Sequence, residues 1–438
     1  MTTLTELHAV ETTPLRRHYD GVRDELFAQF REDRDPGALI KGSSAAADEA
    51  LRSLWQQCGF ADDAALLAVG GYGRGELFPS SDVDLLLLVA CPPEGELAQR
   101  IEIFIGACWD LGMTIGHSVR TVQECLEEQA NDITVRTALF ERRSISKPHT
   151  LNRALEAALA GTPVPLAFFN AKTAEMRQRH EKYVNTPYSL EPNIKESPGG
   201  LRDLQTLSWV ASAAGLGKTW LGLRKSGLLT SSELQMLRHN ERQLKRIRVA
   251  LHLTANRPED RLIFDMQGAV ADLLGYSDRQ GRRASEQLMQ RYYRAAKTVT
   301  QLTTILLQNI DAQLGDQDEV TVEPIDDEFC NRNGLLQPLD LTLFQTDPSA
   351  ILRAFIRLQN QSGLRGMTTA TWRAMWNART LIDGGFRREP SNRQLFMEIL
   401  QAPMGVTHAL RSMNQWSILG HYLPAFRRIV GRMQHDLL

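Results

Sequence analysis

A chain of 438 residues with 42% apolar and 23% charged residues has the length for about two to four domains and the composition of a soluble globular protein. A formal net charge of −2 supplies no global basic field, which argues against nucleic acid as a partner and leaves any phosphate binding to local charge. Cys58, Cys91, Cys108, Cys125 and Cys330 are scattered without C-x-x-C spacing, which speaks against a zinc site or a disulfide framework and for a reducing cytoplasm. The opening residues lack an apolar signal-peptide core, and no run approaches about 18 apolar residues, so neither a signal peptide nor a membrane span is expected.

Residues 1 to about 60 read as a helical arm. Segments 15–32 and 45–57 carry apolar residues at three-to-four spacing, separated by Asp33-Arg34-Asp35-Pro36-Gly37. Next come two short apolar runs, 64–69 and 85–90, that read as buried strands flanking a glycine-rich polar segment, GGYGRGELFPSSDVD. Side chains two apart on a strand share a face, so Asp82 and Asp84 project together while Val83 points into the core. Two carboxylates on one strand face hold hard cations, and the backbone N–H groups after Gly70-Gly71 can cradle phosphates, so the pair suits a Mg²⁺-nucleoside triphosphate. Cys91-Pro92-Pro93 turns the chain into an amphipathic helix over 94–111, with Leu97, Ile101, Phe104, Ile105 and Cys108 on one face. Residues 113–120 alternate as a third strand, and Thr121 with Glu124 forms a capping-box pattern for a helix over 122–129. The pattern is β-α-β on a small mixed sheet.

Residues about 150–310 read as mostly helix, interrupted by a Pro-, Asn-, Ser- and Gly-rich loop at 183–200. Lys195 and Arg202, at and just after this loop, can neutralise a triphosphate or departing pyrophosphate. Asp203 would orient Arg202 or reach a metal. Leu237, Leu244, Ile247 and Leu251 line one face of a later helix, with Arg246, Arg248 and Arg257 as a basic wall or a solvated face. Tyr292-Tyr293 fits helix packing better than base stacking. Gly215-Leu216-Gly217-Lys218-Thr219 imitates a P-loop, but Ser212 stands where the required glycine would be and a helix rather than a strand precedes it. Residues 311–349 read as an acidic linker with a short strand at 319–322, and helices follow at 350–361, 369–381, 392–400 and 405–422.

Val69-Gly70-Gly71, ten residues, then Asp82-Val83-Asp84-Leu85 resembles the signature of the DNA polymerase β-like nucleotidyltransferase superfamily. The longer string GGYGRGELFPSSDVDLLLL is similar to bacterial bifunctional uridylyltransferase/uridylyl-removing enzymes, which modify the nitrogen-signalling protein PII. NIKESPGGLRDLQ is a second match, shared with the glutamine synthetase adenylyltransferases, where a similar segment closes over the nucleotide site. Residues 242–299 resemble the helical domain that follows the catalytic domain in the same family. The resemblance implies an α+β fold: a polymerase β-like nucleotidyltransferase domain with a small mixed sheet, then an all-helical domain and further C-terminal helices. The organisation expected is an arm at 1–60, the nucleotidyltransferase domain at 61–149, a helical domain at 150–310, the linker at 311–349 and a helical segment at 350–438.

The implied reaction transfers UMP from UTP to a tyrosine of PII and releases pyrophosphate, in the cytoplasm, with no nucleic acid or membrane partner. Two Mg²⁺ ions would sit on Asp82 and Asp84. Gly70, Gly71 and Ser81 would hold the β- and γ-phosphates, Arg74 could reach them, and Lys195 and Arg202 would close the site. Superfamily members place a third carboxylate on a later strand, where this chain has His117, Ser118 and Arg120. Asp132 or Glu141 is then the candidate third ligand, with Asp132 the choice. The ending Met433-Gln434-His435-Asp436-Leu437-Leu438 resembles the start of the family's HD hydrolase domain, so the chain reads as a truncated transferase portion. A protein adenylyltransferase of the same fold and a non-catalytic nucleotide-binding module are the alternatives.

Overall fold

The computed structural model describes residues 10–60, 62–147, 150–160, 165–279, 281–314 and 321–429. It divides into two compact units, Met1–Ala296 and Lys297–Leu438.

The first unit opens with two helices, α1 (Thr12–Asp33) and α2 (Pro36–Gln57). Arg34 ends α1 in the left-handed conformation, Asp35 caps α2 by accepting from the Gly37 N–H, and Pro36 sits at the first helical position, where its missing N–H costs nothing. The expected arm is an integral part of the core. Ala47, Leu51, Leu54 and Trp55 of α2 pack in one cluster with Leu66, Leu85, Leu87 and Phe104.

Strand β1 (Ala64–Ala68), the turn α3 (Gly70–Gly73) and strand β2 (Val83–Val89) form the hairpin that the two apolar runs foreshadowed. Helix α4 (Gly95–Asp110) crosses to β3 (Ile115–Thr121), which pairs parallel to β2 with Asp84 opposite Gly116. Helices α5 (Val122–Asn131) and α6 (Ile133–Phe140) lead to the two-residue strand β4 (Arg143–Ser144), and the sheet order is β3-β2-β1-β4. The capping box at Thr121 and Glu124 is present. Alternation along β2 feeds two cores: Val83, Leu85, Leu87 and Val89 join the α2/α4 side, whereas Leu86 and Leu88 pack with Cys125, Leu139 and Leu155. Asp84 shares the parity of Leu86 and Leu88, so it stands at the end of the second face, where the apolar covering stops.

Helices α7 (Thr150–Ala160), α8 (Pro165–Lys182), α9 (Leu201–Ala213), α10 (Trp220–Lys225), α11 (Ser231–Ala255) and α12 (Phe264–Leu273) complete this unit, and α13 (Ala284–Leu314) spans the boundary. Leu237, Leu244, Ile247 and Leu251 are all buried on α11, as their spacing predicts. Tyr292 is fully buried and Tyr293 donates to the Ser189 carbonyl at 2.9 Å, so both serve packing. Thr219 of the P-loop imitation caps α10.

The second unit corrects the reading of a linker. Strands β5 (Val322–Pro324), β6 (Phe329–Arg332), β7 (Leu335–Pro338) and β8 (Gly366–Met367) form a four-stranded sheet in that order. The expected strand at 319–322 therefore begins at Val322; Thr321 precedes it, and positions 319 and 320 lie outside the described residues. Strands of two to four residues are too short for alternation to show in the sequence. Helices α14 (Leu343–Thr346), α15 (Ala350–Asn360), α16 (Thr369–Ala378), α17 (Gly384–Arg388), α18 (Pro390–Gln401), α19 (Val406–Gln415), α20 (Ile418–Tyr422) and α21 (Pro424–Ile429) make up the rest. The helix expected over 405–422 breaks at Ser417, which takes a left-handed φ of 65°. His435 and Asp436 lie outside the described residues. Among those described, no helix is long and apolar enough to cross a membrane.

Candidate active site

A cavity of about 660 Å³ opens in the first unit at the carboxyl end of β1 and the start of β2. Gly70, Gly71, Arg74, Ser81, Asp82 and Asp84 line it from the hairpin, and Lys195 and Arg202 from the loop before α9 and its first turn. Two segments far apart in sequence, each singled out by its residue types, therefore meet around one space.

The Asp84 carboxylate sits between two glycines. Gly70 has a φ of +58°, which side-chain-bearing residues rarely adopt, and a Cβ there would stand 2.8 Å from Asp84 Oδ2. A Cβ on Gly116, across the parallel ladder, would stand 2.7 Å from Asp84 Oδ1. Both approaches need glycine, and Gly116 is a site residue that the sequence reading missed. An isolated glycine inside a strand pattern was the available signal, since it marks close backbone approach. Burial and the neighbouring Asp82 raise the Asp84 pKa, outweighing Lys195 and Arg74. No hydrogen bond to this carboxylate is present among the described residues.

The turn itself is anchored from below. Tyr72, fully buried, donates its phenol to Asp48 Oδ1 at 2.5 Å, and Arg143 of β4 donates to both oxygens of Asp48, at 2.6 and 3.0 Å. Arg74 is tied on both sides: its Nε donates to Glu76 at 2.9 Å and its Nη1 to Glu141, which also accepts from the Trp209 indole. Glu76 in turn accepts from Lys245 at 2.5 Å. Burial opposes its charge, but Lys245 and Arg74 hold the Glu76 pKa down at about 2.

On the opposite wall, burial and the cations Arg202 and Arg248 lower the Lys195 pKa, against Asp260 and Glu196. Arg202 donates to Glu196 at 3.3 Å and to Gln205 at 2.9 Å, and lies over the Trp209 ring. Asp203 neither orients Arg202 nor faces the cavity. It is fully buried and accepts from Arg179 at 2.7 Å and from the Gly199 N–H at 2.7 Å, with His180 Nε2 2.8 Å away. Its charge therefore clamps the loop that presents Lys195. Of the expected basic wall, Arg248 alone lines the cavity. Arg246 donates to the Leu274 carbonyl and Arg257 pairs with Glu259.

Asp132 is a correction. It lies outside this cavity and caps α6, accepting from the Thr134 N–H at 2.6 Å, and that bond lowers its pKa. An aspartate just before a helix is in the ordinary capping position, and the cap takes up the carboxylate. Glu141, the other candidate, does line the cavity but is held by Arg74 and Trp209. Among the described residues no three His, Cys, Asp or Glu side chains gather into a metal-holding group. His117 and Ser118 reach the cavity, as do Gln205, His252 and Asp260 from later segments.

Comparison with known proteins agrees with this arrangement. A family model described as a nucleotidyltransferase domain matches residues 47–143, spanning the α2 and hairpin residues above. A model described as GlnD PII-uridylyltransferase matches 167–307, and one described as the uridylyltransferase GlnD third domain matches 329–422. A bifunctional uridylyltransferase/uridylyl-removing enzyme of Cupriavidus pinatubonensis is 50% identical over 435 residues, 98% of this chain and 50% of that protein. Along almost its whole length the chain is similar to this uridylyltransferase family. A family member of the same description from Ralstonia nicotianae is 50% identical over 415 residues, 95% of this chain and 48% of its own length. Another from Burkholderia mallei is 50% identical over 423 residues, 96% and 49% respectively. The chain thus spans about half the length of the curated uridylyltransferase relatives it matches. As in the sequence-based expectation, the family's nucleotidyltransferase fold is α+β, with a small mixed sheet followed by helices.

Proposed function

We propose that this chain is a protein uridylyltransferase, which transfers UMP from UTP to a tyrosine hydroxyl of PII and releases pyrophosphate. The observation that carries the reading is the meeting of the Asp82/Asp84 pair and its glycine turn with Lys195 and Arg202 around one cavity. The family and the names of the relatives support uridylyl transfer and PII as acceptor.

The donor set fits Mg²⁺. Asp84 is ringed by backbone that leaves no room for a Cβ, receives no hydrogen bond among the described residues, and is pushed toward protonation by burial and Asp82. Such a carboxylate pair suits a hard cation, and Mg²⁺ is commonly held by one or two carboxylates with substrate phosphates and water completing its shell. Asp82 and Asp84 would hold the ions, which when bound supply Lewis-acid stabilisation of the attacking and leaving oxygens.

The chain's own groups supply the rest by position and charge. The acceptor phenol gives up its proton to solvent and attacks the α-phosphorus, its oxygen–phosphorus bond forming as the bond to pyrophosphate breaks. The N–H groups at Gly70 and Gly71, with Ser81, face the β- and γ-phosphates. These N–H groups open a helical turn, where no earlier carbonyl accepts them. Lys195 and Arg202, on the opposite wall, neutralise the charge that builds on the leaving pyrophosphate. Arg74 acts first on Glu76 and Glu141, which set its place beside the turn.

The test is intact-mass analysis of PII incubated with this chain, Mg²⁺, ATP, 2-oxoglutarate and UTP, with Asp82→Asn in parallel. A UMP adduct on a PII tyrosine with the parent chain alone is the expected result. An AMP adduct, or none while Mg²⁺·UTP still binds, overturns the reading.

A further inference from the structure

We infer that His252, held by Asp260, is a positioning residue that sets the segment 80–82 and with it the carboxylate of Asp82. The inference rests on the proposed function for the role of Asp82 and goes beyond it in naming what holds that residue.

Helix α11 carries Arg248 and His252 one turn apart on one face. His252 is only 1% exposed. Its Nδ1 lies 3.3 Å from the backbone nitrogen of Ser80, and its Nε2 lies 3.4 Å from Asp260 Oδ1. A backbone N–H can only donate, so Nδ1 carries no proton and Nε2 does, donating to Asp260. The neutral ring is consistent with its setting: burial lowers the His252 pKa, Arg248 and Lys195 add to that, and Asp260 opposes it. Arg248 donates to Asp260 at 2.5 and 3.2 Å and places its guanidinium 4.0 Å from the centre of the Phe78 ring. Asp260 thus acts on the 78–82 segment twice, through a cation on Phe78 and through an imidazole on Ser80.

Other anchors hold neighbouring points of this segment. Ser44 accepts from the Leu77 N–H at 3.1 Å and Arg23 donates to the Pro79 carbonyl at 2.9 Å. Ser80 is left to His252, and Ser80 is two residues before Asp82. The Asp260 backbone carbonyl meanwhile accepts from the Ile194 N–H at 2.7 Å, next to Lys195. A single residue therefore fixes both walls of the cavity: its side chain sets the carboxylate segment and its main chain sets the lysine loop. Outer partners of this kind weaken metal affinity by roughly 10- to 100-fold when removed.

The experiment uses Mn²⁺ as the probe, with its affinity in the presence of UTP read by electron paramagnetic resonance, and hydrogen exchange of the peptide 78–83 read alongside. His252→Phe keeps a ring without an acceptor, whereas His252→Asn keeps an acceptor atom close to the place of Nδ1. Expected are about tenfold weaker Mn²⁺ binding and faster exchange in His252→Phe, and values within about twofold of the parent in His252→Asn. Unchanged Mn²⁺ affinity in His252→Phe, or equal losses in both variants, overturns the inference. Should His252→Phe fail to fold, Asp260→Asn reads the same tie from its other end, with weaker Mn²⁺ binding expected and parent affinity overturning it. Mn²⁺ binding without UMP transfer by the parent chain would sink the proposed function alone, since the affinity comparison still decides the role of His252. A parent chain that binds no Mn²⁺ overturns both.

Discussion

The phenol of Tyr72 donates to Asp48 at 2.5 Å, joining the glycine turn of the hairpin to the helix that precedes the sheet. Asp48 is shared with Arg143, so the turn, α2 and the last strand of the sheet meet at one carboxylate. The burial of Tyr72 and its bond to Asp48 both raise the phenol's pKa well above its ordinary value, and it stays a donor throughout the working pH range. Tyr72→Phe removes that donor and leaves Asp48 to Arg143 and to Arg52, which donates to it at 3.2 Å. The expected cost is roughly 1–3 kcal/mol of stability, read as a lower thermal midpoint. Transfer rate per folded molecule should fall as well, because the Gly70-Gly71 backbone is no longer pinned. A variant with the parent's midpoint and rate would show that the Asp48 tie is idle.

A second prediction follows from Glu76. Its folded pKa of about 2 lies below the unfolded carboxylate value of 4.5, because Lys245 and Arg74 outweigh its burial. A depressed carboxylate contributes stability that is fully present above the unfolded value and is lost as pH falls through the folded one. The window is therefore about pH 4.5 down to about 2. The contribution is on the order of 3 kcal/mol at neutral pH. Glu76→Gln should flatten the acid limb of a stability–pH curve in that window and lower stability at pH 7. Parallel curves for parent and variant would remove Glu76 from the account.

Much of this site was legible because its signals are local. The apolar runs, the Gly70-Gly71 turn and the Asp82/Asp84 parity are all readable within one hairpin, and the structure forms that hairpin with the expected alternation. Lys195 and Arg202 were legible through loop composition and family resemblance. Asp132 is ambiguous in the sequence because a metal ligand and a helix cap use the same residue type, and α6 after it is too short for its period to stand out. His252 and Asp260 were silent for a different reason: each meaning is a contact, His252 with Ser80 and Asp260 with Ile194, between segments that only folding brings together. The second sheet was hidden by strands too short for any period to show.

Asp84 separates stability from activity. Burial and Asp82 raise its pKa, so its charge costs stability in the folded chain when no cation is present. Asp84→Asn removes that charge while keeping the shape between Gly70 and Gly116. Its thermal midpoint without Mg²⁺ should equal or exceed the parent's, and transfer should fall by roughly 100-fold or more, the scale for removing a charge-stabilising group. Adding Mg²⁺ with UTP should raise the parent's midpoint by ligand linkage and leave the variant's nearly unmoved. A variant that keeps most of the transfer activity, or gains the same Mg²⁺-dependent stabilisation, would take the metal role away from Asp84.

Lys195 tests the other wall. Its ammonium is partly buried beside Arg202 and Arg248, and that setting lowers its pKa, so the folded chain holds a cation there at a cost offset only in part by Asp260 and Glu196. A triphosphate would relieve this crowding of positive charge. Lys195→Ala should therefore leave the thermal midpoint near the parent's in the absence of nucleotide. It should also raise the UTP concentration needed for half-maximal transfer by roughly tenfold, the loss of one charge-assisted contact. Asp132→Ala is the matched control: it removes the cap of α6, so it should lower stability by about 1 kcal/mol while leaving the UTP and Mg²⁺ requirements unchanged. An unchanged UTP requirement in Lys195→Ala would return the lysine loop to a purely architectural role, and a raised Mg²⁺ requirement in Asp132→Ala would restore Asp132 to the metal site.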